Sequence, residues 1–274
     1  MDNQPQSGSL SVLVASCDAY ADAADHFFAL FNRYWPNCQY PVYLVNNTLD
    51  KEYANVAVIN AGNGLDWLGR MRCALRSMPH KYVLLMLEDY FIGRRVDSEA
   101  VNEMVKLMTK EELRYYRISN TPPAKNRPYK GISYLHAIAG NVPYGVNLQA
   151  AIWDREFLLD LIGDEDGSAW KFEIDRLKVA IDGAAEDLSG CVVDTRNIVD
   201  IHNGVIRGKW VPKTIKYFET QDYVISLGKR EVLSSAEEFA IKMKSTLSLY
   251  TPRRFRRGIK IALSKWGMKF ASLH

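Results

Sequence analysis

The segment Tyr82–Phe91 constrains the fold of this chain more than any other. Its first six residues, Tyr82–Leu87, are mostly aliphatic and run straight into two adjacent carboxylates, Glu88 and Asp89. An apolar run of this length is typical of a strand buried on both faces, as in parallel sheets covered by helices. Carboxylates at the carboxyl end of such a strand lie where open α/β sheets bind their ligands. The segment therefore predicts a central strand that ends at a ligand site.

Strands and helices alternate along the chain around this segment. The predicted strands are 11–16, 41–45, 56–60, 82–87, 113–118, 192–193 and 198–206, and the predicted helices are 21–34, 67–77, 97–110, 151–161, 169–181 and 237–247. Asp66 is a natural N-cap for the helix that starts at Trp67. Residues 120–147 are rich in Pro, Gly and Asn and predict loops that shape a binding pocket. The order predicts an α/β fold, a three-layer α/β/α sandwich with a mostly parallel central sheet and a basic C-terminal helical tail.

The positive charge of the chain is confined to its C-terminal tail. The net charge is +3, but residues 251–274 carry seven Lys and Arg and no acid, so residues 1–250 have a net charge of −4. This asymmetry excludes a nucleic-acid-binding face spread over the fold. In helical projection the apolar tail residues share one face with cations beside it; they are Phe255, Ile259, Ala262, Leu263, Trp266 and Phe270. Such a helix fits an anionic membrane surface, and the alternative is a helix packed on the protein body.

Apolar content, the first residues and the cysteines restrict the class of protein further. No run approaches the roughly 20 apolar residues that span a bilayer. The first ten residues lack the cation and apolar core of a signal peptide, so we expect a cytoplasmic protein. The four cysteines form no C-x-x-C pair, which argues against a zinc or dithiol site.

Three polar segments in the first half of the chain are candidates for chemistry. Glu88 and Asp89 are placed to hold a divalent cation, Mn²⁺ or Mg²⁺, which would neutralise a diphosphate; the alternative is a capped strand end. Residues 62–70 offer glycines before a helix N-terminus, with Arg70 one turn inside the helix, an arrangement that suits phosphate or an ordinary loop. Ser16 and Asp18, after the first strand, suit contacts to a base or ribose, and Asp18 is equally suited to capping the next helix.

Two further segments lie in the second half of the chain. Residues 170–175 interleave Glu173 and Asp175 with apolar residues, and one of these acids is a candidate general base; the alternative is an amphipathic helix whose acids face solvent. Residues 201–210 combine glycines, cations and a histidine. Arg207 and Lys209 are candidates to stabilise a leaving diphosphate and His202 to ligate a metal, against a β-turn with surface cations.

Together these segments resemble the GT-A class of nucleotide-sugar-dependent glycosyltransferases, and more narrowly a bacterial family from O-antigen and capsular polysaccharide gene clusters. The matching motifs, all between residues 16 and 210, are SCDAY at 16–20, RYWP at 33–36, W-x-x-R at 67–70, LLMLEDYF at 84–91, GVNLQAAIW at 145–153, WKFE at 170–173 and IRGKW at 206–210. The resemblance implies that Glu88 and Asp89 hold a metal bound to the donor diphosphate. Phe91 departs from the D-x-D pattern of that class, because it stands where a second aspartate would pair with Asp89. The resemblance also favours Glu173 as the base.

The resemblance implies a glycosyltransferase that moves a sugar from a nucleotide-sugar donor to a lipid-linked glycan, and with the basic tail we expect it to be peripheral on the inner face of the cell membrane. We expect a catalytic domain over residues 1–232, with a donor-binding half at about 11–118 and an acceptor half at about 119–232, followed by a helical segment at 233–274. Ser16, Asp18, Asn46 and Arg70 are the donor-side candidates. Gln149 and Trp153 are the acceptor-side candidates, since Trp suits the apolar face of a pyranose. The alternatives are a sugar nucleotidyltransferase and a non-catalytic nucleotide- or carbohydrate-binding module.

Overall fold

A nine-stranded sheet forms the centre of the computed structural model, which describes residues 9–123, 127–140, 142–182 and 187–241. The strands, numbered along the chain, are β1 Leu10–Ala15, β2 Val42–Asn46, β3 Val56–Asn60, β4 Tyr82–Leu87, β5 Tyr90–Ile92, β6 Tyr115–Arg117, β7 Pro128–Tyr129, β8 Ile132–Ala137, β9 Ala151–Asp154, β10 Cys191–Asp194, β11 Ile201–Asn203, β12 Val205–Ile206 and β13 Lys209–Trp210. The helices are α1 Ala21–Tyr34, α2 Trp67–Ser77, α3 Ser98–Lys110, α4 Arg155–Ile162, α5 Ala169–Asp182 and α6 Pro212–Glu219, with a 3₁₀ turn at Asp18–Tyr20.

The order of strands in the sheet is β3-β2-β1-β4-β9-β6-β10-β8-β7. The first four strands are parallel, and only β8 and β9 of the nine run against the common direction. Ala15 lies beside Leu87 on β4 and beside Val45 on β2, so the carboxyl ends of these strands meet at one edge. The predicted mostly parallel central sheet is confirmed.

Helices cover both faces of this sheet, which explains the unbroken apolar strands. Alternate residues of β1 and β4 point to opposite sides. Val12, Leu84 and Met86 join the aromatic side chains of α1 in one core, while Leu13 and Leu85 join α2 and α4 in the other. The three-layer α/β/α arrangement is therefore confirmed, and its middle layer has no solvent-facing surface along β1 and β4.

Carboxylate caps fix where three of the helices begin. Asp66 Oδ1 accepts the Gly69 amide at 2.9 Å, as the sequence predicts for α2. The Asp97 and Asp154 carboxylates accept amides in the first turns of α3 and α4 in the same way. A cap of this kind contributes about 1 kcal/mol to helix stability.

The predicted helix over 151–161 is wrong in its first turn. Residues Ala151–Asp154 form β9, inserted antiparallel between β4 and β6, and the helix begins only at Arg155. A short apolar run fits a buried strand and a buried helix equally well, so periodicity alone does not separate them. Because of this placement Trp153 is 0% exposed and packs on Tyr115, with ring centroids 4.3 Å apart. Trp153 is a core residue, and its assignment as an acceptor-binding residue is corrected.

Trp153→Ala is expected to destabilise the fold by about 3–5 kcal/mol, because it leaves a large cavity in the core between β9 and α4. Trp170→Ala is the matched control: Trp170 is 60% exposed, and substitutions at such sites usually stay within about 0.5 kcal/mol. Urea denaturation of both variants measures the difference. Equal losses of unfolding free energy would contradict the core placement of Trp153.

The C-terminal part of the described chain packs along the outside of α1. Helix α6, which the sequence analysis missed, begins with Pro212 in its first turn, where a missing amide proton costs nothing. A further helix is described over 235–241, and Ser234 and Glu237 form its reciprocal capping box. The rest of the predicted helix 237–247 and the amphipathic tail lie outside the described residues. Among the described helices, none is long and apolar enough to cross a membrane.

Candidate functional site

The carboxyl edge of β1, β2 and β4 collects most of the predicted site residues. Ser16 follows β1, Asn46 ends β2, and Glu88 follows β4. The backbone ties the edge together: the Ser16 amide donates to Val45 O at 2.9 Å and the Glu88 amide to Ala15 O at 3.3 Å. The residues that the sequence places on separate strands therefore lie side by side.

Glu88 and Asp89 form the turn between β4 and β5 at the middle of this edge. Both residues are half-buried as a whole, but their carboxyl groups lie below the surface. The Asp89 carbonyl accepts the Gly204 amide at 2.7 Å, which fixes the turn against the β11–β12 segment. Within the described part of the chain, Asp89 Oδ1 is buried and has no hydrogen-bond partner. A buried carboxylate oxygen without a donor is costly, so this oxygen is suited to a ligand.

Electrostatics also favour a positively charged ligand between the two acids. Burial raises the pKa of Glu88 well above its usual range, and the neighbouring Asp89 charge raises it further. Burial likewise raises the pKa of Asp89. The guanidinium groups of Arg230 and Arg70 act in the opposite direction on Glu88, without cancelling the effect. Two adjacent buried carboxylates are expensive to ionise together unless a cation compensates them.

The raised pKa values predict an unusual pH dependence of stability. In the folded state these carboxyls keep their protons at pH values where the unfolded chain, with carboxyl pKa values near about 4, has lost them. The folded state then binds more protons, so the free energy of unfolding falls as pH rises through this window. Urea denaturation of wild type and Asp89→Asn between pH 5 and pH 8 measures it, and the variant is expected to show a flatter dependence. The same slope in both proteins would contradict the assignment.

Arg70 supplies positive charge that acts on Glu88. It is only 9% exposed and lies one turn inside α2. Its Nη1 donates to Leu65 O at 3.1 Å, while its buried Nε has no partner among the described residues. Arg70 also acts on the Cys17 thiol, whose pKa is raised by burial and by Glu88 and lowered by Arg70. The guanidinium thus lies between the β1 and β4 ends of the edge.

Asp18 connects the loops that follow β1 and β2. Its carboxylate accepts the Thr48 hydroxyl at 2.8 Å and the backbone amides of Asn47, Thr48 and Leu49 at 3.0–3.2 Å. Burial raises the pKa of Asp18, but these hydrogen bonds lower it below its usual value. Asp18 therefore holds the loop and does not cap α1. Beside it Asn46 is 1% exposed, with its Oδ1 unpartnered in the described chain.

Glu173 reaches the same region from α5. Its Oε1 accepts the Leu148 amide at 2.7 Å. The Leu148 carbonyl accepts the Tyr90 hydroxyl at 3.1 Å, and Gln149 Nε2 donates to that hydroxyl at 3.4 Å. Burial raises the pKa of Glu173, while the Leu148 amide and the Arg117 charge oppose the rise. Since Tyr90 directly follows Asp89, Leu148 links the candidate base to the acid turn.

Two predicted residues are engaged in ion pairs elsewhere, and a third is exposed. The Asp175 carboxylate pairs with Lys171 at 2.8 Å and with Lys178 at 3.6 Å, and these lysines lower its pKa. Lys209 Nζ lies 2.8 Å from Glu231 and 3.0 Å from Glu237. Neither side chain is free for the role that the sequence predicts, whereas Arg207 is exposed at the tip of the β12–β13 turn with φ 53°.

His202 does not join the acids. Its ring stacks on Tyr217 with centroids 3.9 Å apart, and its Nε2 lies 3.2 Å from Asp200 Oδ2. In the described residues, no group of three or more His, Cys, Asp and Glu is placed to hold a metal ion. His202 is therefore not grouped with Glu88 and Asp89 among the described residues, and its role as a metal ligand stays a prediction.

Arg230 is the site residue that sequence reasoning missed. Its positive charge acts on both Glu88 and Asp89, although 141 positions separate it from Asp89. It stacks over Tyr20, with its guanidinium carbon 4.4 Å from the ring centroid. A lone arginine in a polar segment carries no local signal, so only the fold reveals this contact.

Comparisons with known proteins identify similar solved structures. No family model and no curated protein matches the sequence. A fragment of TarS from S. aureus, residues 1–349, is 11% identical over 91% of this chain and 77% of that chain, with a TM-score of 0.43. The same fragment in complex with UDP is 12% identical over 91% of this chain and 77% of that chain, with a TM-score of 0.42. A candidate nucleotide-diphospho-sugar transferase from Desulfovibrio desulfuricans G20 is 10% identical over 62% of this chain and 76% of that chain, with a TM-score of 0.36. All three scores lie below 0.5, so the fold assignment rests on the sheet of this chain itself.

Proposed function

We propose that this protein is a nucleotide-sugar-dependent glycosyltransferase. The observation that carries the proposal is the turn after β4, where Asp89 has a buried, unpartnered carboxylate oxygen beside Glu88. This turn lies at the carboxyl edge of parallel strands, where α/β sheets bind ligands. The order of motifs over residues 16–210, which resembles the GT-A class, supports the same conclusion.

A divalent cation, Mn²⁺ or Mg²⁺, fits this turn. Both ions prefer carboxylate oxygens, and two protein carboxylates leave coordination positions for water and for the phosphates of a substrate. The pKa values of both acids are raised, as expected where two carboxylates lie together without the cation that would compensate their charge. When bound, the cation neutralises charge on the donor diphosphate.

The proposed donor-side residues lie on the loops and on the helix start at this edge of the sheet. Arg70 presents a buried guanidinium with an unpartnered Nε. Ser16 and Asn46 lie at the edge between the loops. Asp18 holds the loops after β1 and β2 together through its hydrogen bonds. Arg207 lies on the turn that precedes β13 and is exposed, so it is the cation available to a departing diphosphate; Lys209 takes this role only if its ion pairs with Glu231 and Glu237 open.

Glu173 is the general base of the proposed reaction. In an inverting transfer, an acceptor hydroxyl oxygen forms a bond to the anomeric carbon while the bond from that carbon to the diphosphate oxygen breaks. The electron pair of the broken bond leaves with the diphosphate, and the hydroxyl proton passes to the Glu173 carboxylate. Burial strengthens Glu173 as a base, and the Leu148 amide fixes its orientation.

The acceptor proposed is a glycan, carried on a polyprenyl lipid. Gln149 lies beside Tyr90 and next to the Leu148 contact of Glu173, which suits a hydrogen bond to a sugar hydroxyl. The lipid carrier, the membrane surface and the role in O-antigen or capsule synthesis rest on the resemblance and on the basic tail of the sequence.

A thermal-shift screen tests this function. UDP-, GDP-, CMP- and dTDP-sugars are added to the full chain with and without Mn²⁺. A ligand that binds the folded state raises the melting temperature by mass action. We expect one nucleotide class to stabilise the protein, and to do so more strongly with Mn²⁺. No shift with any donor under either condition would contradict the proposal.

A further inference from the structure

Residues 221–230 form a strap along α1, held at three levels. Arg33, near the C-terminal end of α1, donates to Gln221 O at 2.6 Å and to Asp222 O at 3.4 Å. In the middle, the ring of His26 contacts the Tyr223 hydroxyl at 2.7 Å and the Ser226 carbonyl at 3.2 Å. The strap thus runs from the end of α1 farthest from the acid turn toward the end nearest to it.

Arg230 holds the strap at the N-terminal end of α1. Its Nε and Nη2 form a two-bond pair with the Asp22 carboxylate at 2.9 Å and 2.7 Å. Its Nη2 also donates to Ala19 O at 3.0 Å, and its Nη1 donates to Gly208 O at 3.0 Å. One planar guanidinium therefore ties together the helix start, the 3₁₀ turn after β1 and the β12–β13 turn.

Both turns belong to the candidate site. The 3₁₀ turn at Asp18–Tyr20 follows the loop clamp of Asp18, and the Tyr20 ring lies under the Arg230 guanidinium. The β12–β13 turn presents Arg207, directly before the carbonyl that Arg230 binds. Gly208 has a φ of 77°, a left-handed conformation that favours glycine and that an anchored carbonyl helps to maintain.

We infer that Arg230 is a positioning residue for the donor diphosphate: it fixes the Asp18–Tyr20 turn and the Arg207–Gly208 turn relative to the acids of β4. The inference rests on the proposed function. Lysine would not replace Arg230. A single ammonium group cannot donate two hydrogen bonds to a carboxylate and, at the same time, one each to two carbonyls that lie in different directions. Arg230 acts through the backbone of Ala19 and Gly208, and Asp22 sets its orientation.

The test compares Arg230→Gln with Arg33→Gln. Both substitutions remove a strap anchor that includes two backbone carbonyls, but Arg33 lies at the other end of α1. With the donor that the wild type binds, Arg230→Gln is expected to raise the donor KM about 10- to 100-fold, while Arg33→Gln leaves it within about twofold. Arg230→Lys should recover only part of the loss. Equal donor KM values in the two glutamine variants would overturn the inference.

Amide hydrogen exchange provides a readout that needs no donor. In Arg230→Gln, exchange should accelerate in residues 204–211, whose amides include Gly204 bonded to Asp89 O and Val211 bonded to Gly204 O. In Arg33→Gln, the acceleration should be confined to residues 220–226. Unchanged exchange at 204–211 in Arg230→Gln would overturn the inference even where donor binding is intact. A wild type that binds no nucleotide sugar would instead reject the proposed function, and exchange alone would then decide whether Arg230 holds the two turns.

Discussion

Asp89→Asn is expected to lower kcat/KM for sugar transfer by about 10²–10³-fold, the range measured when one preorganised electrostatic contact is removed from an active site. The substitution keeps the shape of the side chain, but it replaces one carboxylate oxygen by an amide nitrogen and removes the negative charge beside the buried, unpartnered position. A neutral amide is a poor ligand for a divalent cation that must offset the diphosphate charge. The measurement is steady-state transfer with the donor and metal that stabilise the wild type.

The same substitution should not destabilise the fold. Removing one of two adjacent buried carboxylates relieves repulsion that raises the pKa of Glu88. At pH 8, the melting temperature of Asp89→Asn without ligand should equal or exceed that of wild type, a pattern typical of residues kept for function at the expense of stability. Asp164→Asn is the control, since among the described residues Asp164 pairs with the exposed side chain of Arg76 alone. Full transfer activity in Asp89→Asn, or a loss explained by unfolding, would contradict the assignment.

Glu173→Gln is expected to lower kcat by about 10²–10⁴-fold, the contribution typical of a general base. The glutamine carbonyl still accepts the Leu148 amide, so the hydrogen bond that holds α5 to this loop is retained. Donor binding should remain unchanged, because the proposed role of Glu173 is to take the proton of the acceptor hydroxyl and not to hold the donor. Transfer kinetics together with donor thermal shifts separate the two effects.

Asp175→Asn is the matched control for Glu173→Gln. Both acids lie on α5, two residues apart, but Asp175 is bound by Lys171 and Lys178. Its substitution should change kcat by less than about threefold and stability by less than about 1 kcal/mol. If Asp175→Asn abolishes transfer while Glu173→Gln does not, the base is misassigned. If Glu173→Gln loses donor binding as well, Glu173 is a structural link to Leu148 rather than a base.

The sequence predicts the edge of the sheet well because its signals are local. The apolar run of β4 and the two acids after it are contiguous, and burial on both faces accounts for the run. Asp66 and Asp97 also act within one helical turn of their own positions. Such patterns depend only on neighbouring residues, so a strand or a helix start can be predicted from them without knowing the distant parts of the chain.

The rest depends on contacts between residues far apart in the sequence. Trp153 carries an apolar pattern that fits helix and strand alike, and only its pairing with Val83 and Tyr115 makes it a core residue. The sequence around Lys209 indicates a free cation, because its partners Glu231 and Glu237 lie more than 20 residues further along the chain and reach it only in the fold. Arg230 reaches Asp22 only because the strap follows α1.

The acids after β4 are proposed to hold a donor diphosphate through a divalent cation. Calorimetric titration of the stabilising nucleotide diphosphate sugar into wild type and Asp89→Asn, each with and without Mn²⁺, measures this dependence. We expect Mn²⁺ to strengthen binding to wild type by at least about tenfold, or about 1.4 kcal/mol, and this gain to disappear in Asp89→Asn. Equal dissociation constants for the two proteins in the presence of Mn²⁺ would contradict it.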